Sequence, residues 1–153
     1  MRYSFRELSH MDHLDADALR SLYSAELGGE VFYKALAARF DHPEVVTLLR
    51  RNGREEASHA RRIRRAIAMK EDRPFEPEPE LLDTPAPQLP DPVDQAFLRN
   101  LADGEMQGDI GYQRWAANEP DPAVARLLRL NGREESIHSR RVQSAITLLE
   151  TDC

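Results

Sequence analysis

Apolar positions recur along this chain at alternating steps of three and four. Leu19, Leu22, Glu26, Gly29, Tyr33, Leu36 and Phe40 share one such face, and Val45, Leu49, Asn52, Glu56, His59, Ile63 and Ala66 share a second. The pattern returns in Leu98, Leu101, Glu105, Gly108, Tyr112 and Trp115, then in Val124, Leu128, Asn131, Glu135, His138, Val142, Ala145 and Leu149. This is the period of an α-helix, and no useful length of chain alternates as a strand would. The expected fold is all-α. Asp41-His42-Pro43 and Glu119-Pro120-Asp121-Pro122 supply turns, with proline near a helix start where it is tolerated. All seven glycines fall inside the expected helices, where each costs about 1 kcal/mol relative to alanine. Asn52-Gly53 would ordinarily mark a hairpin turn, but the apolar period runs straight through it and through Asn131-Gly132. Those two glycines serve either close helix packing or room for a ligand.

A shift of 79 residues aligns the two halves without a gap. Glu26 falls on Glu105, Gly29 on Gly108, Tyr33 on Tyr112, Asn52-Gly53-Arg54-Glu55-Glu56 on Asn131-Gly132-Arg133-Glu134-Glu135, and His59 on His138. Residues 21–67 and 100–146 agree at 21 of 47 positions, too many for chance, so the chain reads as a duplicated helical hairpin. One domain is expected over residues 1–153: a hairpin at 15–70, a crossover at 71–92 and a second hairpin at 93–150. Seven of the ten prolines lie in the crossover, which therefore reads as extended and partly polyproline. At roughly 3.1 Å per residue it could return the chain along the length of a bundle.

The faces carry an anomaly. Glu26, Glu56, Glu105 and Glu135 stand among leucines at core-facing positions, with His59 and His138 three residues after Glu56 and Glu135. Residues three apart are neighbours on a helix, so each Glu-x-x-His can aim both side chains at one point. Glu26 precedes the first turn by about 16 residues and Glu56 follows it by about 14; Glu105 and Glu135 each lie about 15 from the second. Equal distance from the turn means equal height in an antiparallel hairpin, so six side chains can converge in one layer. Four ionised carboxylates in an apolar core would be prohibitively unstable alone. Two divalent cations would cancel their charge. Oxygen and imidazole donors without thiolate suit iron or manganese better than structural zinc.

One Glu from each of two helices, with Glu-x-x-His from each of two others, resembles the ligand pattern of the ferritin-like di-metal carboxylate proteins. Within them, residues 15–150 resemble the helical domain of the rubrerythrin family. The resemblance implies an up-down-down-up four-helix bundle joined by one long crossover. It implies two iron ions, with manganese or a mixed pair as variants, bridged by Glu56 and Glu135. Glu26 and Glu105 would be terminal ligands, and His59 and His138 would bind one metal each. Tyr33 and Tyr112 would hydrogen-bond a ligand carboxylate; the plainer reading is two core tyrosines. Asn52 and Asn131 carry the same pair of readings.

The chain departs from that family in two ways. Rubrerythrins usually add an iron site of paired cysteines, whereas the only cysteine here is Cys153, so an external electron donor protein is expected. They also resemble one another in an extra Glu one turn after the third-helix ligand, where this chain has Gly108. Glu30 and Asp109 are the candidates to replace it. The implied activity is an oxidoreductase reducing hydrogen peroxide or dioxygen, with Gly29 and Gly108 leaving space over the metals. Alternatives are a ferroxidase and iron-storage protein, which the lack of a fifth helix disfavours, and a non-catalytic metal-stabilised structural bundle. A homo-oligomer, a dimer for instance, is expected from the resemblance.

Composition trims these readings. Charged residues make up 31% and the net charge is -6, which disfavours nucleic acid as a partner. No apolar run approaches the roughly 20 residues that cross a bilayer, the first residues lack a secretory signal, and a lone cysteine allows no intrachain disulfide. A cytoplasmic protein without membrane or nucleic-acid partners is expected. The arginine runs at 61–65 and 140–141 read as solvated faces paired with acids, or more sharply as a dock for an acidic donor. His10, His13 and His42 read as surface residues, and Phe97 and Trp115 as core.

Overall fold

The computed structural model describes residues 3–152, and among them are six helices and no strand. Four helices are long: α2 (Ala16–Ala37), α3 (Pro43–Glu71), α5 (Gln95–Ala117) and α6 (Pro122–Thr151). Their starts are chemically marked. Asp15, Asp94 and Asp121 cap α2, α5 and α6 with side-chain carboxylates, while α3 and α6 begin on Pro43 and Pro122. An acid at that position accepts an otherwise orphaned N–H and complements the helix dipole.

α2 packs on α3, α5 on α6, and α3 on α6. The amide of Asn52 donates to the His138 carbonyl and that of Asn131 to the His59 carbonyl, so α3 and α6 run antiparallel. Tyr33 donates to Glu105 and Tyr112 to Glu26, so α2 and α5 are antiparallel too. The order is up-down-down-up, and the fold is a ferritin-like all-α bundle. No helix among the described residues is long and apolar enough to cross a membrane.

The core is two clusters. One gathers Leu14, Leu19, Leu22, Ile63, Ile67, Trp115, Val124 and Leu128; the other gathers Leu36, Val45, Leu49, Leu98, Ala102, Val142 and Ala145. Between them lies the polar layer of Glu26, Glu56, Glu135, His59 and His138, all buried. The apolar slabs on either side set its dielectric. Trp115 is core, its indole N–H donating to the Met11 carbonyl at 2.8 Å. Phe97 is half-buried against Phe32.

The structure corrects the expected crossover, because α4 (Pro79–Leu82) interrupts its extended course. Proline at the first helical turn loses no hydrogen bond, and Leu81 is buried against the main cluster. Phe75 is also anchored, edge-on to Tyr23 and beneath the Arg20 guanidinium. A second unanticipated element, α1 (Phe5–Ser9), rests on a reciprocal capping box between Ser4 and Glu7. The sequence signature, Ser-x-x-Glu before an apolar residue, was available. Cys153, expected to form no disulfide, lies outside the described residues.

Gly53 and Gly132 serve close packing. A methyl at Gly53 would lie 3.2 Å from Tyr33 Cβ; at Gly132 it would lie 2.8 Å from Tyr112 Cβ and 2.6 Å from Gln113 Nε2. Gly28, by contrast, faces open space. Gly28→Ala is therefore expected to stabilise the metal-free protein by roughly 0.5–1 kcal/mol, and Gly132→Ala to destabilise it by about 1–3 kcal/mol. Urea denaturation of the two variants checks both signs.

Candidate metal centre

Two groups of side chains meet in the polar layer. Glu26, Glu56, His59 and Glu135 each offer one ligand atom, all within 4.8 Å of one another, and so do Glu56, Glu105, Glu135 and His138. Glu56 and Glu135 belong to both groups. All six residues singled out from the sequence are thus brought together, and each group could hold one cation. Glu56 owes its place to Gly29, where an added methyl would lie 2.9 Å from the carboxylate oxygen; Gly108 lies against Glu135 less tightly, at 3.4 Å. Gly29 is therefore occupied by a site carboxylate and leaves no space over the metals, contrary to expectation. Gly108 does line a cavity there.

The histidines test whether the site fits a metal. His59 and His138 are fully buried, their rings stacked with centroids 5.2 Å apart. Nε2 of His59 lies 2.9 Å from Glu134 and Nε2 of His138 lies 3.1 Å from Glu55. A carboxylate can only accept, so each Nε2 carries a proton, and Nδ1 is the atom whose lone pair a cation would take on displacing the second proton. Both Nδ1 atoms are buried without a hydrogen-bond partner. That of His59 lies 3.4 Å from Glu26 and 3.4 Å from Glu135, and that of His138 lies 3.2 Å from Glu56. A buried Nδ1 without a hydrogen-bond partner, aimed into a carboxylate cage, suits a cation in place of its proton.

The residues behind the histidines were not singled out from the sequence. Arg62 forms a two-pronged pair with Glu134 and also donates to Asn131 Oδ1 at 3.0 Å. Arg141 repeats this on Glu55 and Asn52. These arginines turn inward, unlike the exposed Arg61, Arg64, Arg65 and Arg140 of the same runs. Each histidine is thus oriented by an acid of the other half, and that acid is held by an arginine of the histidine's own half. The signal was the spacing Glu-x6-Arg, present in both halves as Glu55/Arg62 and Glu134/Arg141.

The tyrosines take the site-bound reading. Tyr33 and Tyr112 are buried and donate to Glu105 and Glu26, a role carboxylate ligands commonly require. Burial and the neighbouring carboxylates push both phenols well above their usual range, so they stay protonated. Neither candidate for a seventh carboxylate enters the two groups. Asp109 accepts from Ser136 and from Gln113, and Glu30 is exposed in a surface groove. His10 and His13 are exposed, while His42 is half-buried and pairs with Asp152.

Without a cation the layer favours protons in its place. Burial and the Glu56 charge push Glu26 up to about 7, and burial with the Glu135 contacts pushes Glu105 well up. Burial lowers both histidines, but the facing carboxylates of Glu135 and Glu56 outweigh it and raise His138 to about 10, and Glu134, Glu135, Glu26 and Glu56 raise His59 further. Burial raises Glu56 and Glu134, yet the facing imidazoles of His138 and His59 at Glu56, and hydrogen bonds from His59 and Arg62 at Glu134, hold both at about 2.

Two predictions follow from this proton inventory. Raised groups stabilise the metal-free fold while protonated, so its stability should fall as pH rises from about 6.5 through about 10, the window of His138. Metal must displace the same protons, so ferrous or manganous affinity should rise with pH, with about three protons released per pair of ions at neutral pH. Calorimetry in buffers of different ionisation enthalpy measures that number. Glu134→Ala removes the acceptor that orients His59 and should weaken metal binding by about 10–100-fold, read by competition with a chelating dye.

The family model described as Rubrerythrin matches residues 17–146. No curated protein and no solved structure gives a match. The matched stretch takes in all four long helices apart from their outermost residues, both Glu-x-x-His motifs and the buried carboxylate layer, and the chain belongs to the rubrerythrin family.

Proposed function

We propose that this protein is a di-iron oxidoreductase that reduces hydrogen peroxide or dioxygen with electrons from an external donor. The observation that carries the reading is the cavity over the carboxylate layer. It measures about 120 Å³ and is lined by Phe5, Ala25, Gly104, Gly108 and all four carboxylates, Glu26, Glu56, Glu105 and Glu135. A water's share of the liquid is about 30 Å³, so the space suits a molecule of two oxygen atoms and excludes most organic substrates.

Glu26 and His59 would hold one iron, Glu105 and His138 the other, with Glu56 and Glu135 bridging. Bound iron would supply redox equivalents and Lewis acidity, converting peroxide, two protons and two electrons into two waters. The histidines are absent from the cavity lining, so an oxidant meets the carboxylate side and leaves the imidazoles undisturbed. Glu26 and Glu105 keep their orientation through the Tyr112 and Tyr33 hydroxyls, which retain their protons. Away from the cavity the apolar slabs shield the layer, which strengthens the charge interactions at the buried histidines.

Metal content and the optical spectrum before and after hydrogen peroxide test the proposal. Two irons per chain are expected, with a near-ultraviolet band that is lost on reduction and restored by peroxide. Glu56→Ala or Glu135→Ala should abolish binding of the pair. Retention of two metals in either variant would sink the ligand assignment. Two bound metals with no turnover of peroxide or dioxygen would instead leave a metal-stabilised structural bundle.

A further inference from the structure

The two halves differ most informatively on the outer side of the α2–α3 and α5–α6 hairpins. In the second half, Gln113 donates to Asp109 at 2.9 Å and to the Arg129 carbonyl at 3.2 Å, and Ser136 donates to Asp109. These contacts bind α5 to α6 beside Gly132. The positions 79 residues earlier are Lys34, Glu30 and Ala57. Ala57 has no hydroxyl to offer, and Lys34 has no acceptor role and no bond across to α3. A groove of about 430 Å³ remains, lined by Glu30, Lys34, Ala38, Arg50, Gly53 and Arg54.

The groove gathers positive charge from two helices. Lys34 from α2 faces Arg50 and Arg54, four residues apart on α3, and all three are exposed. No carboxylate among the described residues pairs with any of them, Glu30 included, although acids outnumber bases by 27 to 21. Elsewhere Arg20, Arg62, Arg73 and Arg141 have each found an acid. Two guanidinium forks and an ammonium point charge are the donor set that suits a phosphate dianion. The groove's size falls within the range of small-molecule sites. Gly53 keeps its floor flat, because an added methyl would meet Tyr33 Cβ and approach the Glu30 carbonyl. Glu30 stands beside the cations as an acceptor for a ligand hydroxyl or amine.

We propose that this groove binds a phosphate monoester of a small organic molecule. Lys34, Arg50 and Arg54 hold the phosphate, and Glu30 receives a polar group of the organic part. The second half has no equivalent because Gln113, Asp109 and Ser136 close it. This site is separate from the carboxylate layer, and its occupancy does not depend on which metal is bound there.

Amide resonances of the full chain, followed during titration with adenosine 5′-monophosphate at low salt, give the test. Gly53 should shift saturably with a Kd at or below about 1 mM, while Gly132, its counterpart in the closed half, stays in place. Lys34→Gln, which installs the second half's residue, should weaken binding about tenfold without changing metal content. Arg133→Ala should leave it unaltered. Adenosine or inorganic phosphate binding as tightly as the nucleotide would overturn the proposal. So would an unaltered Kd in Lys34→Gln, or equal movement of Gly53 and Gly132.

Discussion

The structure depends on keeping Glu26 and Glu105 each within 4.8 Å of the shared pair Glu56 and Glu135, between two apolar slabs. Left ionised and uncompensated, such a layer would cost more than the whole stability of an ordinary domain. Everything around it supplies positive charge or donors. Two imidazoles enter from α3 and α6, two phenols reach across between α2 and α5, and two arginines neutralise the acids behind the imidazoles. Protons or cations must complete the balance, and the unpartnered Nδ1 atoms decide where a cation fits.

That requirement also explains why the hairpins interlock. His59 is oriented by Glu134, Arg62 by Asn131 and Glu134, and Tyr33 by Glu105; the partners of His138, Arg141 and Tyr112 are in turn Glu55, Asn52 and Glu26. Neither hairpin can assemble its own polar layer, because each half's imidazole and phenol are positioned by the other half. Polar networks of this kind favour a unique arrangement only when every member is satisfied. Here they tie the register of α3 to that of α6, since a slip of one residue would separate both Asn–carbonyl bonds and both Arg–Glu pairs together.

Much of this was legible in the chain itself, for identifiable reasons. Helices show because the apolar step is regular, and the site shows because Glu and His on an apolar face are too costly to be incidental. The inward turn of Arg62 and Arg141 was harder to read. Six of the seven residues at 61–65 and 140–141 are arginines, and the crossing of α3 on α6 selects Arg62 and Arg141 to reach the acids behind the histidines. The α4 turn escaped because prolines argue against helix except at a first turn, and Pro79 sits at one. Gly29 was misread as vacant space because sequence marks where a side chain is missing and cannot say which neighbour fills the gap.

The repeat makes its departures as informative as its identities. Where both halves agree, at Glu, His, Tyr, Asn, Glu-x6-Arg and the packing glycines, the contacts agree and serve the shared layer. Where they differ, symmetry around the layer is not at stake and each half is free to specialise. On the outer side of α5 and α6, Gln113, Asp109 and Ser136 stand where the first half has Lys34, Glu30 and Ala57, a closed hydrogen-bonded set in place of separated charges. The cavity side differs as well: Gly104 replaces Ala25, and α1 places Phe5 at the cavity's edge. A symmetric pair of candidate cation sites is thereby set in an asymmetric shell, with the cavity and the basic groove on different faces of one bundle.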